Sequence, residues 1–413
     1  MLGFLAANRG FRTLWAINLM SSLVGWALGI ALGVHTYQLT GSALWTAVVA
    51  ATPSVAGMLI GHLSGRTADR SDVRVLVRVY LFARIVPLLL LFTVSQSALG
   101  LAAAVFLQAI LQQLYTPAEQ VLIAQYVCRD DLAEANGLNS LASNATRLIA
   151  PALGGFLIAW VGFRWTVTGM SIVMLGSALL SLSLPGRRAA QVSRTEEDTE
   201  PCAPQSYRGA LRASVRVRGL VLLQVSDAIR EGPLTGLFPV LMLGVIGVTS
   251  GQMGLTNSAF AVTAIIAGPL VARTTRRLGY RLPVIAGAAL TNAMFVALAV
   301  WPSWPLAFIV FFVSGLPFTI SWVAGQTWLL LSVPDTFRGR VVGTTNAVYS
   351  TVLLATMLAA GALADRVGAR WVIGTAAALA VCAVLIVDPL ISRAAPDDVA
   401  GQTKEQPVAR QPG

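Results

Sequence analysis

Residues 155–165 read GFLIAWVGFRW, and residues 361–371 read GALADRVGARW. Gly155, Gly162, Arg164 and Trp165 recur as Gly361, Gly368, Arg370 and Trp371, each displaced by 206 positions. The same displacement carries Val127 to Val333 and Gly137 to Gly343. A displacement of 207 carries Gly61, Arg70 and Arg74 to Gly268, Arg277 and Arg281. One inserted residue reconciles the two values. An apolar chain that repeats itself half its length apart reads as two related membrane halves, a common plan for transporters.

The 413 residues are 56% hydrophobic and 11% charged, with a mean hydropathy of +0.72; a soluble protein carries about 25% charged residues. Apolar runs of roughly 20 residues suffice to cross a hydrocarbon core of about 30 Å. They fall near 14–35, 45–63, 75–95, 98–122, 136–160 and 165–184, then near 219–246, 252–272, 282–301, 305–331, 342–364 and 371–391. The expected fold is an all-α membrane protein of twelve transmembrane helices in two pseudo-symmetric six-helix bundles, residues 1–185 and 215–393. The stretch 186–214 carries Arg187-Arg188, the acidic run TEEDTE and two prolines, and reads as a cytoplasmic linker. The polar tail 394–413 reads as disordered. The first apolar run lacks a small-residue cleavage site and is read as helix 1 rather than a signal peptide.

The net charge of +11 would suit a nucleic-acid binder, but its distribution excludes that reading. Three of the 29 Lys and Arg residues (Arg164, Arg366, Arg370) fall in one set of loops and three (Arg84, Arg147, Arg230) inside helices; the other 23 lie in the opposite loops and the termini. This is the positive-inside bias, placing both termini in the cytoplasm of a plasma-membrane protein. Cys128, Cys202 and Cys382 have no metal-site or disulfide spacing. No metal, cofactor or nucleic-acid partner is expected, and the chain is expected to act as a monomer.

Residues 61–74 read GHLSGRTADRSDVR. This resembles the helix 2–3 signature of the major facilitator superfamily, a Gly followed by Ala-Asp-Arg and Gly-Arg-Arg, with Asp72 and Val73 as departures. Gly61 and Gly65 permit close helix approach. The resemblance implies a conformational latch of Gly61, Gly65, Asp69, Arg70 and Arg74, with Asp69 meeting the start of helix 11 near Val342, Gly343 and Thr344. The second half carries Arg276 where the acid would stand. Ala150-Pro151-Ala-Leu-Gly154-Gly155 is similar to the Gly-Pro-x-x-Gly-Gly element of exporters in this superfamily, with Ala150 for the first Gly. YQLTGSA at 37–43, LIAQYV at 122–127, ANGLNS at 135–140, RLIAPALGG at 147–155 and PDTFRGRVVG at 334–343 follow in matching order. Together they resemble the branch that includes enterobactin and macrolide exporters. That branch often carries an acid after the helix 1 Gly, where Gly25 is here followed by Trp26.

Six ionisable residues fall inside the apolar runs: Arg84, Glu119, Arg147, Asp227, Arg230 and Glu231. Charges in a bilayer are costly and face partners or aqueous cavities. Asp227, Arg230 and Glu231 share one face of helix 7 by their i, i+3 and i, i+4 spacing, with Asp227 about 12 Å in from Gly219. Two carboxylates so close would share a proton, so Asp227 and Glu231 are candidates for proton coupling, with Glu119 a third nearer the cytoplasmic end of helix 4. An internal salt bridge that merely makes the charges tolerable is the alternative. Arg84 is expected to snorkel toward the cytoplasmic surface. Arg147, Arg230, Gln108, Gln112, Trp26, Trp322 and Gln326 are candidate lining residues of a cavity suited to a bulky amphipathic ligand.

No nucleotide-binding Gly-rich loop with Lys and Ser/Thr occurs, and the two histidines are far apart, which argues against an ATP-driven pump and against an enzyme. The leading expectation is a proton-coupled exporter of bulky amphipathic compounds, such as drugs, macrolides or siderophores, working by alternating access. An uptake permease or lipid flippase on the same fold is the alternative.

Overall fold

The computed structural model describes residues 8–70, 72–128, 131–185, 215–333 and 338–393, excepting the side chains of 61–70, 133, 338–340, 390 and 393. The described residues are helical throughout, joined by short turns. The helices are α1 (Arg9–Thr40), α2 (Ala43–Arg70), α3 (Val73–Ala83), α4 (Ile85–Thr93), α5 (Ala98–Tyr126), α6 (Leu132–Ser181), α7 (Val215–Pro239, ending in a π-helical turn Val240–Ile246), α8 (Ser250–Leu278), α9 (Arg281–Val300), α10 (Trp304–Leu331), α11 (Arg338–Val367) and α12 (Ala369–Arg393). Eleven segments are long and apolar enough to cross a bilayer, α3 and α4 together making one. The longest, Glu134–Ser181, has 48 residues, about 72 Å of helix at 1.5 Å per residue and twice a bilayer core. It breaks at Gly162 (φ 77°, ψ 173°), giving two crossings and twelve in all.

The repeated phrase has a physical cause here. Gly162 and its counterpart Gly368 (φ 93°) both sit at positive φ, where the chain turns from the fifth crossing to the sixth and from α11 into α12. A side chain is strained there, so glycine recurs. Arg164 lies 5.5 Å over Phe92 of α4, tying the first turn to another helix, while Arg370 lies 4.7 Å over the adjacent Trp371.

Large apolar side chains stay exposed all round, Trp160 at 86%, Leu99 at 70% and Ile386 at 65% among them. That is costly in water and matches a lipid-facing surface. Within the first half α1 packs on α6 and α2 on α5; within the second, α8 packs on α10 and α7 on α11 and α12. The halves meet along two seams, α6 with α8 and α2 with α11. The end of the bundle where α1 turns into α2 is termed distal; the end carrying Asn8 and Ser392 is proximal.

The second apolar run extends further than expected. The stretch after the second apolar run stays helical to Arg70, leaving only Ser71 and Asp72 between α2 and α3. Asp72 caps α3 through Arg74 N and pairs with the Arg74 side chain at 2.9 Å, and that side-chain bond holds its carboxyl below the usual carboxylate range. The expected linker 186–214 and tail 394–413 lie outside the described residues.

Candidate transport site

α7 begins at Val215 rather than Gly219, so Asp227 lies about 18 Å along it, deeper than expected. Arg230 is only 2% exposed and is shared: its guanidinium bonds Asp227 at 2.8 Å and Glu231 at 3.1 Å. It also lies 5.4 Å from the ring centres of both Phe295 (α9) and Phe318 (α10). The expected repulsion between the two acids is thereby removed, because a cation joins them.

Arg147 reaches across the middle of the molecule. Its guanidinium lies 5.4 Å from the Trp26 ring of α1 and 5.6 Å from the Phe260 ring of α8, one in each half. The side chain nevertheless remains exposed, and Glu231 acts on it electrostatically. Accessible space therefore separates the halves at this depth. On the second half's side Trp322 packs edge-on against Tyr349 at 5.2 Å and stacks with Phe318 at 6.2 Å. The structure thus brings Trp26, Arg147, Arg230, Glu231 and Trp322 to one region, and Gln326 joins Trp322 and Asp227 around a smaller cavity between α7, α9 and α10. Phe260, Phe318 and Tyr349 were not singled out from sequence, because composition does not distinguish an inward aromatic from a lipid-facing one.

The first half holds a second buried set. Arg84, expected at the surface, is 2% exposed. It links α3 to α4, inside the bundle, and its guanidinium lies 5.7 Å over the Tyr115 ring. Gln108, expected to line a cavity, is 8% exposed and turns to Arg84 instead. With its amide oriented to suit, its oxygen accepts from Arg84 Nε and Nη2 at 3.3 Å and its nitrogen donates to Arg84 O at 3.2 Å. Glu119 is 6% exposed and feels Arg84 electrostatically, but forms no ion pair with it. Among the described residues, Arg84 Nη1 and Tyr115 Oη have no hydrogen-bond partner. Gln112 stands apart, donating to Thr116 at 3.1 Å.

The distal ends of the seams are tightly joined. Pro151 and Gly155 lie in the α6–α8 seam, whereas Gly154 faces α1 within the first half. A Cβ on Gly154 would come within 2.6 Å of Ala27 O, and one on Gly155 would collide with Ser250 O. Ala152 N donates across the seam to Ser258 Oγ at 3.1 Å. In the α2–α11 seam, Gly361 is the repeat partner of Gly155, and its Cβ would come within 2.7 Å of Ala47. Just beyond it Asp365 receives three hydrogen bonds from the start of α2, from Ser42 Oγ (2.9 Å), Ala43 N (2.7 Å) and Leu44 N (3.3 Å). This is an anion at a helix N-terminus, where free N–H groups and the dipole favour it.

Asp365 was not singled out, although a signal exists. Gly361-x-x-Ala364-Asp365-Arg366-x-x-x-Arg370 matches Gly65-x-x-Ala68-Asp69-Arg70-x-x-x-Arg74 position for position. The side chains of Gly61, Gly65, Asp69 and Arg70 lie outside the described residues, while Arg74 is engaged with Asp72 and, at 3.4 Å, Pro185 O. Among the described residues no group of three or more His, Cys, Asp and Glu could hold a metal ion.

Residues 5–410 match the family model described as transmembrane secretion effector. The chain is 25% identical to the uncharacterized MFS-type transporter YfiS of Bacillus subtilis (strain 168), over 92% of this chain and 91% of that protein. It is 20% identical to macrolide efflux protein A of Streptococcus pyogenes, over 92% and 96%. Among solved structures it is similar to a bacterial homologue of the iron transporter ferroportin in its inward-facing state, with a TM-score of 0.73, 14% identity and coverage of 93% and 98%. At that identity the likeness speaks for the fold alone.

Proposed function

The chain belongs to the transmembrane secretion effector family of MFS-type transporters, membrane transporters rather than enzymes, and on that premise we propose that it is a proton-coupled exporter of bulky amphipathic compounds. The observation that carries the reading is the mid-depth region where Arg147 meets Trp26 and Phe260 across the two halves, facing Glu231, Trp322 and Tyr349. Aromatic faces with few, well-placed charges suit a large organic ligand with polar ends. The likeness to a macrolide efflux protein and the Pro151-Gly154-Gly155 element, which packs α6 closely on α1 and α8, point the same way.

The halves rock about this region to expose it to each side in turn. The charge distribution supports a cytoplasmic placement of the proximal end, with both termini, in a plasma-membrane protein that we take to work as a monomer. Asp365 then closes the outer end by capping α2, and Asp69, in the matching phrase at the end of α2, closes the inner end by capping α11. The two aspartates form reciprocal latches on one helix pair, and each must release when its own end opens. The proton is carried by Glu119 rather than by Asp227 and Glu231. The latter are both committed to Arg230, whereas Glu119 is buried near Arg84 without an ion pair. A carboxyl so placed can be held by a proton or by Arg84, and alternation between the two is what coupling requires.

Membrane vesicles of both orientations, energised and offered a fluorescent macrolide or cationic dye, test the direction. Accumulation inside inverted vesicles is expected. Accumulation only in right-side-out vesicles would make the protein an uptake permease.

A further inference from the structure

The small cavity within the second half, between α7, α9 and α10, has a volume of about 40 Å³. Gln224, Ser226, Asp227, Thr291, Asn292, Ser321 and Gln326 supply polar groups to its wall, beside the Trp322 indole and apolar neighbours. Four of these groups donate away from it. Ser226 donates to Leu223 O at 2.7 Å, Thr291 to Gly287 O at 2.8 Å, Ser321 to Val284 O at 2.7 Å and Asn292 Nδ2 to Ala288 O at 2.8 Å. The three hydroxyls therefore offer lone pairs rather than protons, and Asn292 has one amide hydrogen committed away from the cavity.

Two amide oxygens sharpen the pattern. Asn292 Oδ1 and Gln224 Oε1 are buried without a hydrogen-bond donor among the described residues, and Asn292 and Gln224 are only 2% and 7% exposed. Native proteins rarely leave buried acceptors unanswered. On the rim Asp227 gives one carboxylate oxygen to Arg230, which Glu231 also shares, so those three residues carry one net negative charge.

We propose that this cavity binds a small monovalent cation. A carboxylate, two unanswered carbonyl oxygens and three hydroxyl oxygens with their protons turned away form an acceptor-rich setting, and hard cations take oxygen ligands. One carboxylate among neutral oxygens provides too little charge for a divalent ion to be preferred. The volume admits one ion with a water or two, since a water needs at least about 10–15 Å³ by this measure. Sodium and the protonated primary amine of a transported compound share the required chemistry, a single compact positive charge. The site depends neither on the direction of transport nor on Glu119.

The full-length protein in detergent tests this by thermal unfolding at constant ionic strength. Sodium, potassium or methylammonium chloride would replace choline chloride, whose cation is too large to enter. A saturable rise in Tm with at least one small cation is expected. A response to sodium alone assigns the site to an inorganic ion, and a response to methylammonium alone to an amine end of a substrate. Asn292→Leu and Gln224→Leu each remove an acceptor and should weaken the response, while Asn292→Asp adds a negative charge and should tighten it roughly tenfold. A flat Tm with every cation in the wild type, or an equal rise in wild type and all three variants, would overturn the proposal, leaving a water-filled cavity or a general salt effect.

Discussion

Arg84 and Arg230 are each 2% exposed, one in each half, and the two halves accommodate them in opposite ways. Arg230 is ion-paired, with a carboxylate on either side and two aromatic rings around it, although its Nε has no hydrogen-bond partner among the described residues. Arg84 is held by the Gln108 amide and the Tyr115 ring, while Glu119 stays close without an ion pair and Nη1 has no hydrogen-bond partner among the described residues. A buried arginine ion-paired with carboxylates is a fixture, because removing any member strands another charge in low dielectric. One without an ion pair can change its partners. The second half therefore holds charge in place, and the first half has the charge that can move.

The strongest way to break this contrast is to delete the two arginines. Arg230→Met strands two buried carboxylates and should cost about 3–5 kcal/mol, read as loss of folded protein in thermal unfolding. Arg84→Met leaves mainly neutral groups unserved and should cost about 1–3 kcal/mol. Equal losses would mean that both arginines are fixtures. The acids sharpen the contrast next. Glu119→Gln should remain folded yet lose proton-driven transport, whereas Asp227→Asn should lose about 1.5–3 kcal/mol of stability by weakening a charged hydrogen bond while coupling persists.

Asp365 extends the distinction to the seams, since bonds that cross between the halves must break in every cycle. Asp365→Ala should favour opening of the distal end by roughly tenfold, about 1.4 kcal/mol, seen as longer spin-label distances between the α1–α2 and α11–α12 turns. Asp69→Ala should shift the distribution the opposite way. An unmoved distribution in Asp365→Ala would remove it from gating. The smallest effect on folding is expected at Arg147, whose side chain is exposed. Arg147→Ala should change stability by no more than about 0.5 kcal/mol, but lower substrate affinity severalfold by losing its place over Trp26 and Phe260. A fully active variant would place the ligand elsewhere.

The twelve crossings were legible because hydropathy and the Gly162/Gly368 repeat are local signals, and positive φ at both glycines explains why the phrase recurs. The Asp227-Arg230-Glu231 set was legible because helical spacing alone brings its members together. Arg84 was misplaced because its partners lie on another helix: Gln108, Tyr115 and Glu119 all come from α5, and no spacing links them to α3. Asp365 escaped notice for a similar reason. An acid in a predicted external turn reads as solvated until the N-terminus of α2 is found beside it, despite the Ala-Asp-Arg phrase it shares with Asp69.

The central claim is that Glu119 carries the coupled proton, and substrate-dependent proton flux tests it directly. Protein reconstituted into vesicles with an imposed pH gradient and an internal pH dye would be challenged with a macrolide, with binding measured in parallel. Wild type should collapse the gradient faster when substrate is added, and Glu119→Gln should bind the compound without any added proton flux. Substrate-driven proton flux in Glu119→Gln equal to that of wild type would contradict the account.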